Sequence, residues 1–312
     1  MNPEITRAVR ILERGGLVAF PTETVYGLGA DASNPAAIAQ LYAVKGRPPG
    51  HPVIVHFSDA EHAFAWAREV PAAARILAAR FWPGPLTLIL ARAPQVGDFV
   101  TGGQDTVGLR VPSHPLALEL LEAFGGGLAA PSANRFGRVS PTSAAHVRTD
   151  LGADVGLVLD GGPCGVGIES TIVDLSRGRP VLLRPGGVSA ADIEDALGVP
   201  IGGPDAESPR VSGGLPSHYA PRTPARLVGA ESLGAQIAKH GTHAAVLAFG
   251  PPDERVDYWL RMPRDPEDYA RKLYAALREL DATGRTMLLI ESPPATPEWR
   301  AVLDRLRRAA RD

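Results

Sequence analysis

Short apolar runs alternate with helical segments through the first two hundred residues, and this alternation restricts the chain to an α/β fold more strongly than any other feature. Residues 3–14 put Ile5, Ala8, Val9 and Leu12 on one helical face, and Gly15-Gly16 ends that helix before a strand at 17–20. Asn34-Pro35 supplies a cap and a first-turn proline for a helix to about Val44. Strand-like runs follow at 53–55, 86–90, 107–111, 127–130, 155–159, 171–175 and 180–183. Between and after them the pattern predicts helices near 59–68, 71–81, 115–124 and 189–197, with another helical run starting at Ser143. From about 201 to 224 periodicity fails and Gly, Pro and Ser dominate, as in a linker. The pattern then restarts: strands at 225–228, 244–249 and 287–290, helices at 231–240, 266–281 and 297–310. The expected organisation is a domain over 1–200, a linker over 201–224 and a smaller α/β domain over 225–312.

Composition narrows the function classes. With 45% apolar and 21% charged residues, and no apolar run near the length of a membrane span, the 312 residues read as soluble and globular. Nothing at Met1-Asn2-Pro3-Glu4 resembles a signal peptide. A formal charge of −2 gives no global reason for tight nucleic-acid binding. Cys164 is the only cysteine, which excludes intramolecular disulfides and cysteine-based zinc sites and suits a cytoplasmic protein. His51, His56 and His62 lack a recognised ligand spacing. Of 32 cationic side chains only Lys45, Lys239 and Lys272 are lysines. Lys45 is alone in the first 238 residues, where a compact ammonium stands out against an arginine background.

There is no Gly-x-x-x-x-Gly-Lys-Ser/Thr, no Gly-x-Gly-x-x-Gly after a strand and no Gly-x-Ser-x-Gly. Polar loops beside apolar strands carry the chemistry instead. After the strand at 17–20 comes Pro21-Thr22-Glu23-Thr24-Val25-Tyr26, which puts two hydroxyls, a carboxylate and a phenol beside a flexible Gly27-Leu28-Gly29 turn. Lys45-Gly46-Arg47-Pro48 offers two cations to a polyphosphate or a carboxylate, or forms a solvated turn. Arg110 stands in the apolar run Val107-Gly108-Leu109-Arg110-Val111, where a charge needs an anion: a substrate carboxylate, or an internal partner such as Asp105. Ala129-Ala130-Pro131-Ser132-Ala133-Asn134 either lets a ligand approach the backbone or is a turn and cap ahead of Ser140-Pro141-Thr142. Four glycines between Asp160 and Gly167 precede Glu169-Ser170-Thr171, as a mobile lid or a backbone cradle. Cys164 in that loop has no histidine partner to make it a nucleophile. Arg184-Pro185-Gly186-Gly187 closes the series with another cation at a glycine turn.

Taken in order and spacing, these segments, with Trp82-Pro83-Gly84-Pro85-Leu86-Thr87, resemble the YrdC-like family of threonylcarbamoyl-AMP synthases from about residue 5 to 200. His218-Tyr219-Ala220-Pro221 and the following α/β segment resemble its longer, two-domain form. The resemblance implies a twisted mixed sheet enclosing a large concave cleft, plus a smaller Rossmann-like domain. It implies a nucleotidyltransferase that makes threonylcarbamoyl-AMP and pyrophosphate from L-threonine, bicarbonate and ATP, with Mg2+ on the ATP. The product would pass to a downstream threonylcarbamoyl transferase complex that modifies tRNA; a weak contact with tRNA itself is left open.

On that resemblance Lys45 and Arg47 are the catalytic, triphosphate-neutralising pair, joined by Arg184. Arg110 would hold the threonine carboxylate, while Thr22, His56, Ala130 and Ser170 bind the rest of threonine. Thr106, Ser132, Asn134 and Ser140 would serve the nucleotide. Where the family often carries an aromatic residue just before the His-Tyr motif, this chain has Leu215-Pro216-Ser217, which leaves Tyr219 as the expected stacking substitute. Two other classes compete: a carbamoyl-adenylate-forming enzyme, and an RNA-binding module using arginines such as Arg135, Arg138 and Arg148.

Overall fold

The structure is a computed structural model and describes residues 2–48, 50–214 and 218–310. Its chain contacts separate two units. One holds the residues up to Phe136, Pro141–Gly165 and Glu169–Gly214; the other holds Gly137–Ser140, Val166–Ile168 and the chain from His218 onward.

The first unit opens with helix α1 (Pro3–Glu13), capped by the Asn2 side chain, which buries Ile5, Ala8 and Leu12. Strand β1 (Val18–Phe20) follows, then β2 (Gly27–Asp31), antiparallel to it. The glycines of β2 therefore do not form the flexible turn expected from the sequence. Their value is steric: a Cβ on Gly29 would stand 2.8 Å from the Phe20 ring, so only glycine lets the ring lie on the strand. Helix α2 (Pro35–Lys45) starts at the Asn34 cap and stops at Gly46, whose φ of 64° is the left-handed value that ends helices. The chain continues through β3 (Ile54–His56), α3 (Ala60–Phe64), α4 (Ala72–Phe81), β4 (Leu86–Ala91) and the one-turn α5 (Asp98–Thr101). Next come β5 (Thr106–Arg110), α6 (Pro115–Phe124), β6 (Leu128–Ala129), α7 (Ala144–Leu151) and β7 (Leu157–Val158). The unit ends with β8 (Thr171–Asp174), β9 (Val181–Arg184) and α8 (Ala190–Leu197).

These strands form one mixed sheet in the order β7-β1-β2-β6-β3-β5-β4-β8-β9. One face packs an extensive apolar core that includes Leu41, Phe57, Leu77, Leu88, Leu109, Val147 and Ile193. On the opposite face, α1 and α6 cover the β1 and β6 side with Ile5, Leu12, Leu120 and Leu121 against Phe20 and Leu128. The register decides what the rest of that second face presents. His56 is opposite Arg110, Gly108 is opposite Ile54 and Ile89, Thr87 is opposite Ile172, and Ile172 is opposite Arg184. Because side chains alternate with period two, Thr87, Arg110, Ser170, Arg184, His56 and Ala130 all belong to this face.

The second unit is a smaller α/β arrangement. It comprises β10 (Ala225–Val228), α9 (Ala230–His240), β11 (Ala244–Ala248), β12 (Tyr258–Arg261), α10 (Pro266–Asp281), β13 (Met287–Glu291) and α11 (Arg300–Ala309). The sheet order is β10-β13-β11-β12 and every pairing is parallel. Strand β11 is entirely buried, as the continuous apolar run predicts; the edge strand β12 has no fully buried residue and no expectation in the sequence.

Candidate active site

The loop after β1 is rigid for a reason that lies in its own residues. Thr22 Oγ1 accepts from the Thr24 and Val25 amides at 3.2 Å each, donates to Val25 O at 2.7 Å and meets Thr24 Oγ1 at 2.8 Å. This closed hydroxyl turn holds Thr22 at 2% exposure and Thr24 at 0%. The Thr22 hydroxyl, expected to serve threonine, is here engaged within its own loop. What the turn presents is Glu23, a residue to which the sequence assigned no role.

Glu23 Oε1 accepts from Arg110 Nη2 at 2.7 Å, and Oε2 accepts from the Ser113 amide at 3.0 Å. The Arg110 Nε–H points to Gly84 O at 3.3 Å. The buried charge on β5 therefore pairs with Glu23, whereas the suggested Asp105 lies 3.8 Å from Arg92. Nη1 of Arg110 has no acceptor among the described residues, so one amino edge of a guanidinium with 5% side-chain exposure is left to a ligand. Beside it, His56 is 3% exposed, and burial together with the Arg110 charge pushes it from 6.5 to about 3, so its ring is neutral at ordinary pH. Ala130, on the same face, donates its amide to Ile54 O at 3.1 Å.

Further along the face, Ser170 Oγ lies 2.8 Å from Thr87 Oγ1 and accepts from Arg184 Nη2 at 3.1 Å. The Arg184 fork also grips Ser170 O through Nε at 3.0 Å and Nη2 at 2.8 Å, while Nη1 reaches Ser212 O at 2.8 Å. Arg47 Nη2 donates to Pro52 O at 2.6 Å and to Ser212 Oγ at 3.1 Å. Ser212 thus joins two of the expected phosphate-binding cations. Sequence reasoning missed it, because its partners Arg184 and Arg47 are 28 and 165 positions away and no local pattern points to it. Arg210, Val211 and Ser212 lie across the sheet from Thr106, Gly108, Ile54 and Ile172, enclosing a cavity of only about 10 Å³. That is room for about one water. Thr106 is at the opposite end of β5 from Arg110, so the structure does not bring it to the Glu23–Arg110 pair.

Lys45, the last residue of α2, is 2% exposed and its ammonium is held by Ser132 O at 2.5 Å and Asn134 O at 2.6 Å. Burial first, and the Arg47 charge second, hold it well below the ordinary lysine value. A cation held by two neutral carbonyls lacks what would best stabilise its charge, and an anion supplies that. Ser132 and Asn134 contribute these acceptors through their main chain; the Asn134 side chain donates to Arg135 O at 2.9 Å.

Tyr26 ties the glycine loop down: its hydroxyl donates to Gly162 O at 2.8 Å and accepts from the Gly161 amide at 3.2 Å. Cys164 is 2% exposed, and burial pushes its thiol up to about 12, so it is a neutral packing residue rather than a nucleophile.

Two expected nucleotide residues belong to the second unit. Ser140 accepts there from Arg278 Nε at 3.4 Å. Tyr219 is 1% exposed, stacked on Tyr274 at 5.7 Å, edge-on to His218 at 4.2 Å and covered by the Arg305 guanidinium at 5.2 Å. The ring of Tyr219, the expected stacking substitute, is thus packed among protein side chains. Leu215-Pro216-Ser217, where the expected aromatic residue is missing, lies outside the described residues.

Among the described residues no helix is long and apolar enough to cross a membrane, and no group of three His, Cys, Asp or Glu side chains is placed to hold a metal ion.

Comparison with known proteins converges on one group. Residues 10–186 match the Sua5, YciO and YrdC family, described as "Telomere recombination", and residues 188–311 match the "Threonylcarbamoyl-AMP synthase, C-terminal domain". The threonylcarbamoyl-AMP synthase of Pyrococcus abyssi is 39% identical, covering 98% of this chain and 94% of the relative. That of Bacillus subtilis is also 39% identical, covering 99% and 93%. The crystal structure of P. abyssi Sua5 complexed with L-threonine superposes with a TM-score of 0.91 at 38% identity, over 98% of this chain and 94% of that one. The chain therefore belongs to the Sua5/YrdC family of threonylcarbamoyl-AMP synthases, in its two-domain form.

Proposed function

We propose that the polar sheet face of the first unit joins L-threonine, bicarbonate and ATP into threonylcarbamoyl-AMP and pyrophosphate. The chain is an enzyme of the nucleotidyltransferase type, and its product serves threonylcarbamoyladenosine modification of tRNA. The observation that carries the residue roles is the pair of buried cations with capacity left for anions: the Arg110 Nη1 edge and the carbonyl-held Lys45 ammonium.

In this reading the threonine carboxylate takes the Arg110 edge, with neutral His56 and the Ala130 segment beside it. Ser170, fixed by Thr87 and Arg184, faces the same substrate. The threonine ammonium gives up a proton, and the resulting amine bonds to the bicarbonate carbon with loss of water, giving a carbamate; one proton is released overall. A carbamate oxygen then attacks the α-phosphorus of ATP, and the bond to the β-phosphate oxygen breaks with its electron pair going to pyrophosphate. The protein's contribution is positioning and charge neutralisation. Lys45, Arg47 and Arg184 oppose the charge that builds on the phosphates, and for the two arginines the phosphates displace Ser212. Ser132 and Asn134 act by holding Lys45. Mg2+ would come bound to ATP and offset phosphate charge there; among the described residues no group of three His, Cys, Asp or Glu side chains is placed to hold it. Excluding water protects the carbamate.

The test is pyrophosphate release from ATP with threonine and bicarbonate added singly and together, followed by mass spectrometry of the adenylate. Release that requires both, with a product of threonylcarbamoyl-adenylate mass, is expected. Release indifferent to threonine would overturn the reading.

A further inference from the structure

The first unit contains a charge that carboxylate binding does not need. A buried guanidinium alone suffices to hold a carboxylate, and a second carboxylate fixed against it weakens that attraction. Yet Glu23 lies 2.7 Å from Arg110, with side-chain exposures of 12% and 5%, in a geometry held from three sides. The hydroxyl turn of Thr22 fixes the backbone through the amides of Thr24 and Val25. The Ser113 amide fixes one carboxylate oxygen and Arg110 fixes the other. Each oxygen carries one such bond, and a carboxylate accepts about four, so acceptor capacity remains on both. The neighbouring Cys164 and His56 are neutral and add no charge to the pair.

The result is a fixed plus-minus pair only a hydrogen bond apart. An α-amino acid is its complement: a carboxylate for the guanidinium edge and, one carbon away, an ammonium for the carboxylate. We propose that Glu23 is a specificity-determining residue of the threonine site, positioning Arg110 and receiving the substrate's α-ammonium, so that the site selects zwitterions over simple carboxylic acids. This rests on the assignment of Arg110 to the threonine carboxylate. It assigns the acid of the Pro21-Thr22-Glu23-Thr24 loop, and it explains why both flanking threonines turn inward: they hold Glu23 rather than the ligand.

The test is equilibrium binding of L-threonine and of its 2-hydroxy analogue, 2,3-dihydroxybutyrate of matching stereochemistry, to the full chain and to Glu23→Gln, with thermal unfolding of both. The wild-type chain is expected to prefer threonine by roughly 10- to 100-fold, the scale of one charge-assisted contact. In Glu23→Gln that preference falls below about threefold, because threonine weakens while the hydroxy acid holds or tightens on an uncompensated Arg110. Glu23→Asp, which keeps the charge, restores part of the preference. An equal loss of both ligands in Glu23→Gln would show that Glu23 only shapes the loop, and would overturn the proposal. So would a wild-type preference for threonine below about threefold, a result that does not depend on whether the variant folds. Absence of threonine binding in the wild type would instead overturn the assignment of Arg110.

Discussion

Each unit buries a cation, and the two are held in opposite ways. Lys45 in the first unit is gripped by two main-chain carbonyls, and its surroundings disfavour the charge. Arg305 in the second is 0% exposed, 2.7 Å from the Asp304 carboxylate and stacked over the Tyr219 ring. A carboxylate-paired cation is complete, and its removal costs stability. A carbonyl-held cation has no carboxylate bonded to it, and on the proposed function its removal costs turnover instead. If Lys45 serves a ligand as proposed, this difference is what distinguishes it from a structural tie.

Lys45→Ala gives the sharpest test of that distinction. Turnover should fall on the order of a thousandfold, the scale of losing one preorganised electrostatic contact to a transition state. The unfolding temperature should hold or rise, because a desolvated ammonium is removed. A folded, active variant would break the comparison. Arg110→Ala comes next: kcat/KM for threonine should drop roughly a hundredfold, carried mainly by KM, because a charge-assisted contact to the ground-state carboxylate is lost. This residue is intermediate in kind, being paired with Glu23, so the same substitution should also cost about 3 kcal/mol of stability. Urea unfolding alongside the kinetics separates the two effects.

In the second unit the order reverses. Arg305→Met should cost about 2 kcal/mol by removing one of the two arginines on Asp304, Arg308 remaining at 3.1 Å, and by loosening the Tyr219 stack. Pyrophosphate release per folded molecule at low temperature should stay within about twofold. A variant of full stability and no turnover would make Arg305 functional and erase the contrast.

The sequence displayed most of this architecture because its signals are local. Apolar runs such as Leu86-Thr87-Leu88-Ile89-Leu90 and caps such as Asn34-Pro35 need no tertiary context to be read. Strand β2 was hidden because its composition, Gly-Leu-Gly-Ala-Asp, lacks β-branched residues; the Phe20 ring against Gly29 makes it a strand. Strand β12, at an edge and half exposed, offers only the three-residue run Tyr258-Trp259-Leu260 between Asp257 and Arg261. In the site, cations in apolar surroundings announced themselves, since Lys45, Arg110 and Arg184 are costly wherever they are buried. Their partners did not. Glu23 is 87 positions from Arg110, so only the need of a buried arginine for a carboxylate could have pointed to it, and that need does not say which acid answers. Thr22 and Tyr219 both make contacts within the protein that the sequence did not show, because a hydroxyl or an aromatic ring can turn inward as readily as toward a ligand and local sequence does not distinguish the two.

The smallest effect concerns His56, whose Cα partner is Arg110. Its value falls from 6.5 to about 3 in the folded chain, so between these limits the unfolded chain binds a proton that the folded chain refuses. Stability therefore falls as pH drops below 6.5 and continues to fall until pH approaches 3. From pH 7 to pH 5.5 this single group should remove about 1 kcal/mol. His56→Gln lacks that dependence, so the stability difference between the two proteins should shift by about that amount across the interval, measured by urea unfolding. An anion on Arg110 would reduce the repulsion that helps keep His56 neutral. Saturating threonine should therefore raise the His56 value above about 3, which shows as a smaller loss of stability below about pH 4 in the liganded wild-type chain than in the unliganded one, with His56→Gln less affected. If threonine changes both equally, the ligand does not neutralise Arg110, and the grouping of that arginine with the cations that serve a ligand fails.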